Sequence, residues 1–172
     1  MRTFVVCTVL VFCCLAVGCE IATHKVGDNG MSPTLNRDDG FKVISLSDES
    51  KPIDRFDIVL YEPSEKYRRI YNLEKGQAEQ ISRVIGLPNE KVEIRDNKIY
   101  INDKLLEAPF KTIENSDVIN FSPIVIPDNE YFMVSDNRLD GYDSRIREPA
   151  TVNRKEIYKK VEEIFPGYYK ER

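Results

Sequence analysis

Val92-Glu93-Ile94-Arg95-Asp96-Asn97-Lys98-Ile99-Tyr100-Ile101 decides the fold class. Apolar residues at 92 and 94, and again at 99 and 101, alternate with polar ones, the period of a strand with one face buried. Between the two runs stand Asp96 and Asn97, residue types that tolerate positive φ and close a two-residue hairpin. Asn102-Asp103 marks a further turn. Upstream, Phe41-Lys42-Val43-Ile44 and Asp57-Ile58-Val59-Leu60-Tyr61 read as strands. Downstream, so do Val118-Ile119-Asn120-Phe121, Ile124-Val125-Ile126 and Tyr131-Phe132-Met133-Val134, with Pro and Gly in the intervals. Helical period is clear only over Asn153 to Phe165. There Ile157, Val161 and Ile164 share a stripe opposite Lys159 and Lys160, and Asn153 is the expected N-cap. Glu65 to Gln80 reads as a loop rather than a short helix, because it is polar and contains Gly76. The expected fold is mostly β, a single antiparallel sheet domain with a C-terminal core-packing helix and no internal repeat.

The 172 residues allow a leader, residues 1–19, and one domain, residues 20–172. The net charge of -4 gives no electrostatic case for nucleic acid, which needs a concentrated basic face. Lys66-Tyr67-Arg68-Arg69 is the nearest approach to one, and Glu62 and Glu65 offset it. All four cysteines lie at or before position 19, so the domain has no internal disulfide. With His24 as the only histidine, a zinc site is excluded, no cofactor is expected, and His24 reads as an exposed tether residue. Thr3 to Cys19 is uncharged and apolar. As a helix it would span about 25 Å, slightly short of a hydrocarbon core of about 30 Å. Leu15-Ala16-Val17-Gly18-Cys19 has the form of a lipobox, with Cys19 as the lipidation site. A lipoprotein signal peptide, an uncleaved anchor and a cleaved secretion signal stay open, and each places the domain outside the cytoplasm.

Three further segments resemble boxes of the bacterial type I signal peptidase family. Gly30-Met31-Ser32-Pro33-Thr34-Leu35 resembles Ser-Met-x-Pro-Thr-Leu. Ser82-Arg83-Val84-Ile85-Gly86-Leu87-Pro88 resembles Lys-Arg-x-x-Gly-Leu-Pro. Asp136-Asn137-Arg138-Leu139-Asp140-Gly141-Tyr142-Asp143-Ser144-Arg145 is similar to the family's third box. Arg55-Phe56-Asp57-Ile58-Val59 and Lys98 to Lys104 add weaker matches. The resemblance implies intertwined antiparallel sheets against the outer face of a membrane. It also implies a serine endopeptidase that cleaves signal peptides of exported proteins, with a lysine as general base.

The implied chemistry is what this sequence lacks. Gly30 stands at the nucleophilic serine, Ser82 at the lysine and Gly141 at the serine that orients it. A glycine cannot form an acyl intermediate, and a serine hydroxyl is no base near pH 7. Asp28 falls where the family lines its oxyanion hole, and a carboxylate there opposes a developing oxyanion. The resemblance gives Met31, Pro33 and Thr34 to the turn, and Arg83, Asp136, Arg138, Asp143 and Arg145 to the ionic scaffold; all are kept. The expectation is a membrane-tethered pseudoenzyme that binds signal peptides or preproteins, or modulates an active signal peptidase. Restoring Gly30→Ser, Ser82→Lys and Gly141→Ser together is expected to return activity. Two alternatives stay open: an endopeptidase with a rearranged centre, and a structural envelope lipoprotein. In the former, Ser32 is the fallback nucleophile, with Lys25 or Lys75 nearby. On an extended strand, though, Ser32 would lie about 6.6 Å from the attack point. Asp136, Asp140 and Asp143 invite a calcium reading, but the neighbouring arginines favour internal salt bridges.

Overall fold

A computed structural model describes residues 24–170; the leader and Cys19 lie outside the described residues. The strands are β1 (His24–Lys25), β2 (Gly40–Ser45), β3 (Ile58–Tyr61), β4 (Gln80–Gly86), β5 (Lys91–Arg95), β6 (Lys98–Ile101), β7 (Lys104–Leu105), β8 (Phe121–Val125), β9 (Glu130–Val134), β10 (Val152–Asn153) and β11 (Ile157–Phe165), with one α-helix among the described residues, α1 (Glu65–Ile70). All named strand pairs are antiparallel. They form a seven-stranded sheet in the order β1-β2-β11-β3-β4-β9-β10 and a four-stranded sheet in the order β7-β6-β5-β8.

The deciding hairpin forms as read. Asp96 and Asn97 have φ of 47° and 65°, and Val92 pairs with Ile101 and Ile94 with Ile99. Their buried side chains meet Ile85, Phe132 and Val134 of the larger sheet in one apolar cluster. The alternate residues of β4 and β9, Val84 and Met133, enter a second cluster with Val59 and Tyr61. Burying both faces of the central strands requires this split by parity. A third cluster joins Met31 and Leu35 to Ile58 and Leu60, and so fixes the Gly30 turn against β3.

Three local expectations are corrected. The C-terminal helix is a strand. Asn153 does cap, accepting from Lys155 N–H at 3.1 Å while Glu156 accepts from Asn153 N–H at 3.1 Å, but it starts only a 3-10 turn over Arg154–Glu156. Beyond it, β11 crosses the sheet between β2 and β3 with register shifts between Ile157 and Lys159 and between Val161 and Glu163. An extra residue at a bulge reverses strand parity. Val161 and Ile164, three apart, therefore pack on one cluster and imitate helical spacing. Conversely, α1 forms inside the segment read as a loop, with Ser64 accepting from Tyr67 N–H at 3.2 Å as N-cap. Finally, His24 is no tether: it belongs to β1 and stacks on Phe41 at 5.4 Å between centroids.

Candidate functional site

The three boxes converge. Gly30, Ser135 and Gly141 line one open cleft of about 280 Å³, walled by Tyr67, Tyr142 and Asp28. Asn137 makes the connection between boxes: its N–H donates to the Gly30 carbonyl at 3.0 Å, and its Nδ2 donates to the Asn29 carbonyl at 3.0 Å. Ser82 lies directly behind Ser135.

Where the resemblance puts the base, there is a chain of neutral hydroxyls. Tyr61 OH lies 3.1 Å from Ser82 Oγ, which lies 3.2 Å from Ser135 Oγ. All three residues are buried. Burial pushes the Tyr61 phenol above its ordinary range, outweighing the hydrogen bond to Ser82, so it stays protonated near neutral pH. None of the three takes up a proton near neutrality. Among the described residues, no lysine lines this cleft.

The position that the resemblance gives to the nucleophile is equally bare. Gly30 has no side chain, and its N–H donates to Asp28 Oδ1 at 2.8 Å. The backbone donor that could meet an oxyanion is therefore held by a carboxylate of the same turn. Gly141 is a packing requirement: a Cβ there would fall 2.2 Å from Ser135 Cβ and 2.4 Å from Ser135 Oγ. The expected effect of the triple substitution is corrected accordingly, since Gly141→Ser has no room while Ser135 is present. Sequence reading missed Ser135 and Tyr61. Ser135 directly precedes the third box, but only the β4–β9 alignment puts it against Ser82. Tyr61 reaches Ser82 only through the β3–β4 register, in which Val59 is opposite Ser82 and Tyr61 opposite Gln80.

The fallback Ser32 is not in the cleft. Residues 30–34 form a turn rather than an extended strand, with Leu35 N–H donating to the Met31 carbonyl at 2.9 Å. Ser32 is buried rather than a surface hydroxyl, and its Oγ donates to Asn36 Oδ1 at 3.0 Å. Lys25, one of the proposed bases, is paired with Asp38 at 2.8 Å; Lys75 is exposed.

The ionic scaffold is intact with one exception. Arg83 Nε donates to Asp136 Oδ1 at 2.8 Å, Nη2 to Asp136 Oδ2, and Nη1 to the Phe56 carbonyl at 2.9 Å. Thr34 Oγ1 also donates to Asp136, locking the turn to the third box. Arg145 binds Asp143 in fork geometry, both contacts at 2.8 Å, and Asp143 Oδ2 accepts from Ser135 N–H at 2.8 Å. Asp136 and Asp143 are thus both engaged by arginine, and among the described residues no group of acidic, histidine or cysteine side chains is placed to hold a metal. The exception is Arg138. Its backbone carbonyl accepts from Arg145 Nη1 at 2.9 Å, but its Nε is buried without a partner, and burial holds its pKa below the ordinary arginine value. Met31 is fully buried under the turn, and Pro33 is exposed beside it.

A family model described as "Signal peptidase, peptidase S26" matches residues 1–165. Signal peptidase I V of Bacillus subtilis (strain 168) is 33% identical over 137 residues, covering 71% of this chain and 73% of that protein. The probable signal peptidase I-2 of Synechocystis is 27% identical over 119 residues, or 69% of this chain and 52% of that protein. The chain thus spans about half to three quarters of the curated relatives it matches. A crystal structure of a signal peptidase I from Enterococcus faecalis V583 aligns with a TM-score of 0.46 and 27% identity, covering 62% of this chain and 94% of that one. With the boxes joined in one cleft and a family match over nearly its whole length, the chain belongs to the signal peptidase family, peptidase S26.

Proposed function

We propose that this protein is a membrane-tethered, extracytoplasmic signal peptidase I-like pseudoenzyme that binds an extended peptide without cleaving it. The carrying observation is the replacement of the reacting pair. Gly30 offers no hydroxyl, its N–H is held by Asp28, and the base position holds Ser82 within a chain of buried neutral hydroxyls. Loss of nucleophile and base together leaves little of a covalent mechanism, since the two act as a unit. Peptide binding survives this loss because it uses backbone groups and shaped walls. The β4–β9 pairing begins at Arg83, with Ser135 beside Ser82, so Gln80 and Ile81 are paired on the β3 side only. That leaves a strand edge beside the cleft. The apolar leader with Cys19 supplies the tether, through lipid or as an anchor.

The test is titration of the full chain in detergent with a signal peptide, read by calorimetry, with mass spectrometry of the recovered peptide. Saturable binding with the peptide returned intact supports the proposal. Cleavage abolished by Ser32→Ala or Ser135→Ala supports a rearranged endopeptidase. Neither binding nor cleavage points to a structural envelope role.

A further inference from the structure

Asn29-Gly30 is the only Asn-Gly pair in the chain, and it opens the first box. In such a pair the main chain can attack its own side chain. Glycine, without a Cβ, leaves its nitrogen open to the amide carbon of the asparagine before it. That nitrogen is ordinarily inert, because peptide resonance draws off its electron pair until its proton leaves. The Gly30 turn supplies what the reaction lacks. Gly30 N–H donates to Asp28 Oδ1 at 2.8 Å, so a carboxylate is seated on the proton that must go. Asn29 Oδ1 accepts from Arg37 N–H at 3.3 Å, a donor placed where negative charge develops when Asn29 Cγ is attacked. Asn29 is exposed, so water reaches the group.

The two Asp-Gly pairs differ. Gly141 N–H donates to the Asn137 carbonyl at 3.2 Å rather than to a base. Asp39 is buried, and its carboxylate accepts from Asn36 N–H at 2.8 Å and Gly167 N–H at 2.7 Å.

We propose that Asn29 is a site of self-modification, with Asp28 as the base and water as the co-reactant. The Gly30 nitrogen bonds to Asn29 Cγ while its proton passes to Asp28. The Cγ–Nδ2 bond then breaks, and Nδ2 leaves as ammonia with that proton. A cyclic succinimide remains. Water opens it at either carbonyl, giving an aspartate or an isoaspartate at position 29 and one added negative charge. In the isoaspartate the main chain runs through Cβ and Cγ, and the former Asn29 carbonyl becomes a pendant carboxylate. That carbonyl accepts from Ser32 N–H and from Asn137 Nδ2, both at 3.0 Å. The conversion therefore remakes the joint between the first and third boxes. It needs neither a bound peptide nor a nucleophilic hydroxyl, and so stands apart from the peptide-binding reading.

The experiment incubates the full chain in detergent, near neutral pH, in heavy-oxygen water. Alongside it runs a synthetic peptide of the same sequence from Val26 to Arg37. Tandem mass spectrometry of that fragment locates the label, and electron-transfer fragmentation separates aspartate from isoaspartate. The folded chain should take up label at Asn29 at least as fast as the peptide. Asp28→Ala, at an exposed position, should slow the folded chain roughly tenfold or more, the loss of a positioned base. The same change in the flexible peptide should alter the rate less than about twofold. Urea unfolding confirms that the variant is folded. Gly30→Ala should slow both chain and peptide, because a Cβ then shields the nitrogen. A chain that stays unlabelled at Asn29 while the peptide is converted overturns the proposal. So does a folded Asp28→Ala chain that reacts as fast as the natural one.

Discussion

Ser82 and Ser135 each sit one residue away from a member of the Arg83–Asp136 pair, yet the two layers have very different character. The pairs Arg83–Asp136 and Arg145–Asp143 are ionic, fork-shaped and almost wholly buried, with side-chain exposures between 0% and 8%. Next to them, Tyr61, Ser82 and Ser135 form a neutral chain of hydroxyls. A buried charge cannot be lost singly, because its partner is then stranded in a medium that penalises it. A hydroxyl chain needs only neighbours of its own kind. The fold therefore depends on this frame whatever chemistry the cleft carries. The hydroxyl chain imposes no such ionic constraint, and beside it Gly141 packs directly against Ser135.

The contrast can be broken from either side. Asp136→Ala should have the largest effect, about 3–5 kcal/mol of lost stability, because Arg83 is left charged and unpaired. Urea unfolding would register this as a lower midpoint. Next comes Gly141→Ser, which forces a Cβ into Ser135 and should cost about 1–3 kcal/mol. Ser135→Gly in the same chain should recover most of that loss, so a double-mutant cycle should show strong positive coupling.

Tyr61→Phe should cost only about 1 kcal/mol near neutral pH, one hydrogen bond. Its sharper signature is alkaline. Burial raises the folded Tyr61 pKa above the unfolded value near 10, so its contribution to stability is complete below about pH 10 and is lost as pH rises beyond that. Stability followed from pH 8 to 11 should therefore fall less steeply in Tyr61→Phe than in the natural chain. Smallest of all is Lys66→Ala. It removes an exposed pair with Glu148, and thermal unfolding should show no resolvable shift.

The hairpin around Asp96-Asn97 was legible because turn chemistry and strand period agree there. The cleft's three glycine and serine substitutions were legible because each interrupts a recognisable box. Strand β11 was not, since two bulges turn a period of two into the spacing of a helix. Nor was the Ser135 side chain filling the room at Gly141, because that contact joins strand β9's end to a loop and depends on backbone closeness, not on pattern. Arg138 matched its box but lacks the carboxylate partner that the ionic scaffold predicts; it lines a neighbouring pocket with Asn97 and Glu114, and its Nε is buried without a partner. Asp28 was singled out by its place in the first box, but that its carboxylate occupies the Gly30 N–H is a property of the turn's closure.

The most direct measurement compares preprotein cleavage by the natural chain with cleavage by a restored chain carrying Asp28→Ser, Gly30→Ser, Ser82→Lys, Ser135→Gly and Gly141→Ser. Both are assayed in detergent, with products read by mass spectrometry. The account predicts no product from the natural chain and the mature fragment from the restored one. Product from the natural chain that disappears on Ser32→Ala or Ser135→Ala would contradict it.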